Sequence, residues 1–562
     1  MAQDLTLSPV RLSLAATAVA GLAFLSIMSA NALLGEPTAG WIAHVLLLGL
    51  LALAIARPWE GYLLAVALCS VGLNIAIPHG ITSAPSSYLI MGSFAGLLLR
   101  GRLFRGQPIE VLALAGLLAV SGLVAVIAGI LSKTDISWKL PVAEYIGILS
   151  MTAFLFVPIA LVEKPGQVVM IGRAILAGIL VYLAGAAAGS VTTLGCFPPS
   201  YELTTLSGPG MRLSGMSADP NVFAVAGASF IPFVLFSLVQ PRTKSYLSVL
   251  LLVGISAAVI ASGSRSGIAI AGLAASASLG VALLLRSRSA IVLGTLCLAI
   301  VAAAPSMLWR DLPCPLNRPL EMPTFTERND GDAYFRRLLG DEGSKGVYRN
   351  PYQDLQFRKK DDPLVAEHTL PLVKEMSDII SSLPIDDARR RLWLHAFLLG
   401  IESFPIGYGL GTMPFLTPMG WRAHNTALTV FAEMGVPGLL CLGLIGFVIL
   451  RSARDIFVRF RRTPIFVFSA ATCVSVVSIA VAALAQDFMR LELFWALLGL
   501  LICVSSLLRR DERFGASGAP APVRPQERQA KEVGSGSKPE VRGPCHGRDP
   551  GGDEPPKSRL PN

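Results

Sequence analysis

Charge is scarce in this chain. Only 15% of its 562 residues are Asp, Glu, Lys or Arg, where a soluble globular domain carries about 25%. That deficit excludes an ordinary water-soluble enzyme of this length. Paired cysteine motifs are missing too. The eight cysteines form no C-x-x-C and no Cys/His pair at metal-ligand spacing, so no metal site is expected. No P-loop occurs. The G-x-G-x-G of Gly407, Gly409 and Gly411 is neither a Walker loop nor a dinucleotide fingerprint. With no nucleotide site or cofactor in view, energy must come from an activated substrate or a gradient.

What the chain has instead is apolar length. It is 53% hydrophobic with a mean hydropathy of +0.60. Apolar runs near the ~20 residues that a bilayer requires recur along it. The reading is an all-α polytopic membrane protein with about fourteen spans and a large outward loop containing helices. The spans fall near 12–33, 40–57, 61–78, 82–99, 109–132, 141–162, 168–189, 221–240, 245–262, 267–285, 289–306, 425–450, 464–485 and 491–508. This divides the chain into an N-terminus (1–11), eleven spans (12–306), a loop (307–424), three further spans (425–508) and a tail (509–562). The first run follows Arg11 and contains a faint cleavage-like Ala30-Asn31-Ala32. Its apolar core exceeds a signal peptide's, so it reads as an uncleaved anchor.

The net charge of +10 does not signal nucleic acid, because the positives lie in short loops that orient the spans. One alternate set of loops holds Arg57, Arg100, Arg102, Arg105, Lys164, Arg242, Lys244, Arg286, Arg288, Arg451, Arg454, Arg459, Arg461 and Arg462, and the tail opens with Arg509 and Arg510. Those loops, the N-terminus and the tail are therefore expected in the cytoplasm. The tail, rich in Pro, Gly, Ser and charge, is expected to be disordered. Cys196 and Cys314 both fall in outward segments, where an oxidising compartment would permit a disulfide between them.

Four outward segments remain: 190–220, "SGSRSG" (262–267), the 307–424 loop and "QDFMR" (486–490). In the long loop, "PIDDARRRLWLHAFLLGIESFP" reads as a helix capped by Asp386 or Asp387, with Leu392, His395, Ala396 and Leu399 on one face. Gly407, Gly409 and Gly411 then suggest a flexible turn.

Ionisable groups at one membrane mouth are the candidates for chemistry. Arg212 lies in "GPGMRLSGMSADPNVFA", where Asp219 and Pro220 also read as a helix start. Arg265, between small residues in "SGSRSG", can grip phosphate oxygens bidentately. His424, beside Arg422 and Asn425, can take a proton from a hydroxyl, or can be a cap or interfacial anchor. Glu433, inside the next apolar run, needs a partner: an outward arginine or a packing hydrogen bond. Two outward arginines at a membrane surface suit a diphosphate joined to a lipid tail.

The stretches "RLSGMSADPNVFA", "ASGSRSG", "RRRLWLHAFLLGIESFPIGYGLGT" and "AHNTALTVFAEMGVPGLL" resemble, in order and spacing, the O-antigen ligase / Wzy-type polymerase family. The resemblance spans roughly residues 200–450. It implies a multi-pass enzyme of the bacterial inner membrane that moves a glycan from an undecaprenyl-diphosphate carrier to an acceptor hydroxyl in the periplasm, on lipid A–core for a ligase or on another lipid-linked unit for a polymerase. It implies Arg212 and Arg265 as diphosphate ligands and His424 as the base. Arg389, Asp219, Asn221, Arg422 and Asn425 become further substrate contacts, and Glu433 an orienting residue. The reaction would be metal-independent, the arginines taking up the leaving charge. The insertion at 309–362 matches none of these motifs. Two other classes compete. A transporter would place broken helices and polar groups at midplane; a non-catalytic scaffold would not need the Arg and His placement.

Overall fold

The computed structural model describes residues 37–69, 75–77, 81–131, 139–191, 213, 220–237, 245–308, 387–416, 422–459, 465–487 and 491–517. The chain divides into two units, Met1–Glu512 and Arg513–Asn562. Of the second unit, only the helical residues 513–517 are described.

The elements run α1 (Pro37–Ala56), α2 (Pro58–Cys69), β1 (Ile75–Ile77), β2 (Ile81–Ser83), α3 (Pro85–Leu99), α4 (Ile109–Leu131), α5 (Lys139–Leu161), α6 (Pro165–Val191), α7 (Pro220–Ser237), α8 (Ser245–Ala261), α9 (Arg265–Leu284) and α10 (Arg288–Leu308). After the undescribed first part of the long loop come α11 (Asp387–Glu402), a short α12 (Met413–Leu416), α13 (Thr426–Arg454), α14 (Phe466–Ala482) and α15 (Glu492–Ser517). A π-helical turn, Asp455–Arg459, follows α13 directly.

The run at 12–33 lies outside the described residues; every other predicted span overlaps one of these helices. By length and composition, seven are fit to cross a membrane: α4, α5, α6, α7, α9, α13 with its π-turn, and α15. Their apolar residues pack into one continuous core. Trp495, Tyr62, Tyr182 and Phe154 are among its largest fully buried side chains.

Two predicted boundaries change. The span at 61–78 is not one helix: α2 ends at Cys69, and Ile75–Ile77 pairs antiparallel with Ile81–Ser83. Gly72, Pro78 and Gly80 in this stretch are helix breakers; apart from this short hairpin the described elements are helical. The last helix runs to Ser517, beyond the predicted end at 508. Cys196, Cys314 and the tail beyond 517 lie outside the described residues.

Helix ends gather in two sets. At one end of the bundle, Arg451 pairs with Glu110, and Arg509 lies 3.8 Å from Glu110 and 3.7 Å from Asp455. Arg510 donates to the Gly106 carbonyl 2.5 Å away. This set joins the start of α4 to the ends of α13 and α15. The opposite set holds the candidate site.

Candidate functional site

Three helix N-termini are linked by hydrogen bonds. Ser264 caps α9, its hydroxyl accepting from Gly267 N–H at 3.1 Å. The same hydroxyl donates to Asn221 Oδ1 at 2.8 Å, in the first turn of α7. Ser264 and Ser266 hydroxyls are 3.1 Å apart, and Gln486 Nε2 donates to Ser266 at 3.3 Å. The Gln486 carbonyl accepts from the Thr426 hydroxyl at 2.8 Å, at the start of α13. A continuous polar chain thus runs from α7 through α9 to α13, with Gln486 as the spacer.

Each helix start leaves N–H groups without intrahelical partners and carries about half a positive charge. Grouping three of them makes a region suited to an anion. Arg265, exposed as the first residue of α9, adds a full charge. Arg212 and Asp219 lie outside the described residues. Leu213, next in the chain after Arg212, is buried and donates its N–H to the Ala261 carbonyl at 3.1 Å, at the end of α8.

The segment carrying His424 is fixed from both sides. Asn425 caps α13, with its side-chain oxygen accepting from Leu428 N–H at 3.1 Å and its amide donating to the Leu484 carbonyl at 2.9 Å. Thr426 N–H bonds the Ala483 carbonyl at 2.8 Å. Asn425, expected to touch substrate, therefore has a capping task. His424 is partly buried and has φ of +49°. An L-residue in this region costs about 1–2 kcal/mol, and such residues persist where the surroundings over-determine them, often at functional sites.

Arg422 is held by carboxylates from three elements. Its guanidinium lies 3.6 Å from each of Glu144 on α5, Glu433 on α13 and Asp487 after α14. Glu433 thus has the arginine partner that its apolar surroundings demand, and it also accepts from Met413 N–H at 3.4 Å. The arrangement gives Arg422 a clamping task two residues before His424. Removing one partner of a buried pair costs roughly 3–5 kcal/mol, because the other charge is left uncompensated. Arg422→Gln is expected to lower the thermal midpoint of the purified protein, and Arg422→Gln with Glu433→Gln to recover part of the loss. An unchanged midpoint in the single variant would remove the clamp from the account.

Glu433 reaches the clamp because α13 breaks beside it. Gly435 has φ 61° and ψ −147° inside the helix. The break frees the carbonyls of Ala432 and Glu433, which accept from Tyr408 and Gly409 N–H, both at 2.9 Å. Val436 N–H turns to the Pro405 carbonyl, also at 2.9 Å. The expected flexible turn at Gly407, Gly409 and Gly411 is thus a strap fixed along α13. Gly409, at φ +111°, lies against the α4 backbone, where a Cβ would come within 2.6 Å of Gly129 N. α11 covers the same part of α13, with Ala396, Met413, Ala423 and Ala432 in one buried cluster and the Phe397 and Phe431 rings 6.2 Å apart. Arg389 lies in the first turn of α11; its side chain is outside the described residues.

The described structure therefore gathers Arg265, Asn221, Arg422, Asn425 and Glu433 with the His424 segment at one end of the bundle. The sequence alone assigns no role to Glu144, Ser264, Ser266, Gln486 or Asp487. The signal for Gln486 and Asp487 is their place in the short outward segment "QDFMR". Glu144 was a carboxylate in an otherwise apolar span.

The chain matches the family model described as O-antigen ligase over residues 248–443. No curated protein matches it. The matched stretch contains Arg265, Arg389, Arg422, His424, Asn425 and Glu433, and over it the chain is similar to the O-antigen ligase family.

Proposed function

We propose that this protein is a metal-independent membrane glycosyltransferase. It moves a glycan from an undecaprenyl-diphosphate carrier to an acceptor hydroxyl, acting as an O-antigen ligase on lipid A–core. The observation that carries this reading is the group of three helix N-termini with Arg265, joined through Gln486 to the His424 segment. In this reading about fourteen spans cross the bacterial inner membrane, both termini are cytoplasmic, and the 307–424 loop is periplasmic.

The donor's tail lies in the bilayer and its diphosphate meets Arg265, Arg212 and the helix starts. His424 takes the proton of the acceptor hydroxyl. The hydroxyl oxygen attacks the anomeric carbon as the bond from that carbon to the diphosphate oxygen breaks. The electron pair leaves with the diphosphate, whose charge the arginines and helix N–H groups stabilise. The proton on His424 passes to water. Direct attack inverts the anomeric configuration, and a product of retained configuration would contradict it. Glu433 and Arg422 hold the His424 segment and take no proton in the reaction.

The test is genetic. In a deletion strain restored with wild type, long-chain lipopolysaccharide bands return. With His424→Ala they stay absent and lipid-linked polymer accumulates. Core carrying a single repeat would indicate a polymerase instead. Normal surface glycan in the deletion strain, with no other polymer missing, would remove both readings.

A further inference from the structure

The strap between α11 and α12 has a feature that the transfer chemistry does not use. Its backbone is irregular, yet it keeps its polar groups to itself. Ser403 N–H bonds Leu399 O, Phe404 N–H bonds Ile401 O, and Ile406 and Gly407 N–H both bond Ser403 O. Tyr408 and Gly409 N–H bond Ala432 O and Glu433 O. Pro405 has no N–H. Every backbone donor from 403 to 409 is thus satisfied within the protein. Water imposes no such demand on a surface loop; hydrocarbon does.

The side chains at the tip agree. Phe404 is 62% exposed and Ile406 43%. Further along α13, Leu439 and Leu440 are also exposed, at 37% and 59%, extending the apolar surface beyond the break. Depth follows from α13. Arg451, paired with Glu110, marks the opposite end of the bundle. Gly435 is sixteen residues before Arg451, about 24 Å at 1.5 Å per residue. A hydrocarbon core is about 30 Å thick. The tip bonded beside Gly435 therefore falls several ångströms inside it.

We propose that the tip of the strap, 403–407, is inserted among the acyl chains of the outer leaflet, anchoring the His424 segment at the depth of a lipid-borne donor. The proposal rests on the outward placement of this end of the bundle. It makes the end of the predicted periplasmic loop a membrane-inserted element.

The test reads the environment of the tip directly. Phe404→Cys is labelled with the fluorophore NBD after Cys196, Cys314 and Cys545 are replaced; Cys69, Cys297, Cys441, Cys473 and Cys503 are buried. The protein is reconstituted in phosphatidylcholine vesicles, with Leu440→Cys as the lipid reference and Lys164→Cys as the water reference. Ile406→Cys is the second tip variant should Phe404→Cys fail to fold. Phosphatidylcholine carrying a nitroxide at a shallow acyl position should quench the tip label several-fold more than it quenches position 164. Iodide should quench the tip several-fold less than position 164. Equal iodide quenching at 404 and 164 would overturn the proposal. So would quenching by neither reagent, which would mean that a second copy or another part of the chain covers the tip. The readout needs no turnover, so it stands or falls apart from the proposed glycan transfer.

Discussion

Gly435→Ala is expected to yield a protein that does not fold stably. At φ 61° and ψ −147° the backbone occupies a region that is essentially reserved for glycine, and a non-glycine residue there costs about 1–3 kcal/mol. A second cost comes from space. A Cβ at this position would overlap the Pro405 carbonyl oxygen and come within 2.6 Å of Ile406 C. Those atoms are backbone, so no rotamer relieves the contact. Relaxation would pull the strap from α13, releasing the bonds that Tyr408, Gly409 and Val436 make. With both effects, the loss should exceed roughly 3 kcal/mol. Size exclusion in detergent should show aggregate, and any folded fraction should melt early. Gly446→Ala, in the same helix with open space around its Cβ position, should melt like wild type or slightly higher. Equal midpoints for the two variants would mean that the break is not required.

His424→Asn should have the opposite signature: a folded protein with its transfer rate lowered by roughly 10²–10⁴, the usual contribution of a general base. Asparagine tolerates the positive φ that His424 adopts, so the local backbone keeps its shape. Its amide cannot accept the acceptor's proton at neutral pH. A drop in rate with an unchanged melting midpoint separates a chemical role from a capping one. Wild-type rates in this variant would leave His424 with only the interfacial role.

The helices were legible because burial in a bilayer writes itself into run length. The α4 stretch and the others declare themselves by apolar composition alone. Arg265 and His424 were legible for a related reason: a charged or titratable side chain at a membrane mouth is costly and stands out. The clamp was not. Arg422 meets Glu144 and Asp487, which are 278 residues before it (422 − 144) and 65 after it (487 − 422) in the chain, and nothing local announces either pairing. Gln486 was hidden in the same way, because its partner Ser266 lies 220 residues away. The break in α13 is an intermediate case. Gly435 and Pro437 belong to breaker residue types, but the sequence reading takes the apolar run at 425–450 around them as one helix. What fixes the break is the strap, and the G-x-G-x-G pattern shows tolerance of positive φ without showing what those glycines bind.

The central claim is that this site transfers a glycan from a lipid diphosphate. Its most direct measurement uses purified protein in vesicles with an undecaprenyl-diphosphate-linked glycan and lipid A–core as acceptor, following both products. The expected result is glycan on the acceptor and free undecaprenyl diphosphate in equal amounts, with both formed roughly 10²–10⁴-fold more slowly by His424→Asn. Donor consumed without acceptor modified, or equal product from the His424→Asn protein, would contradict it.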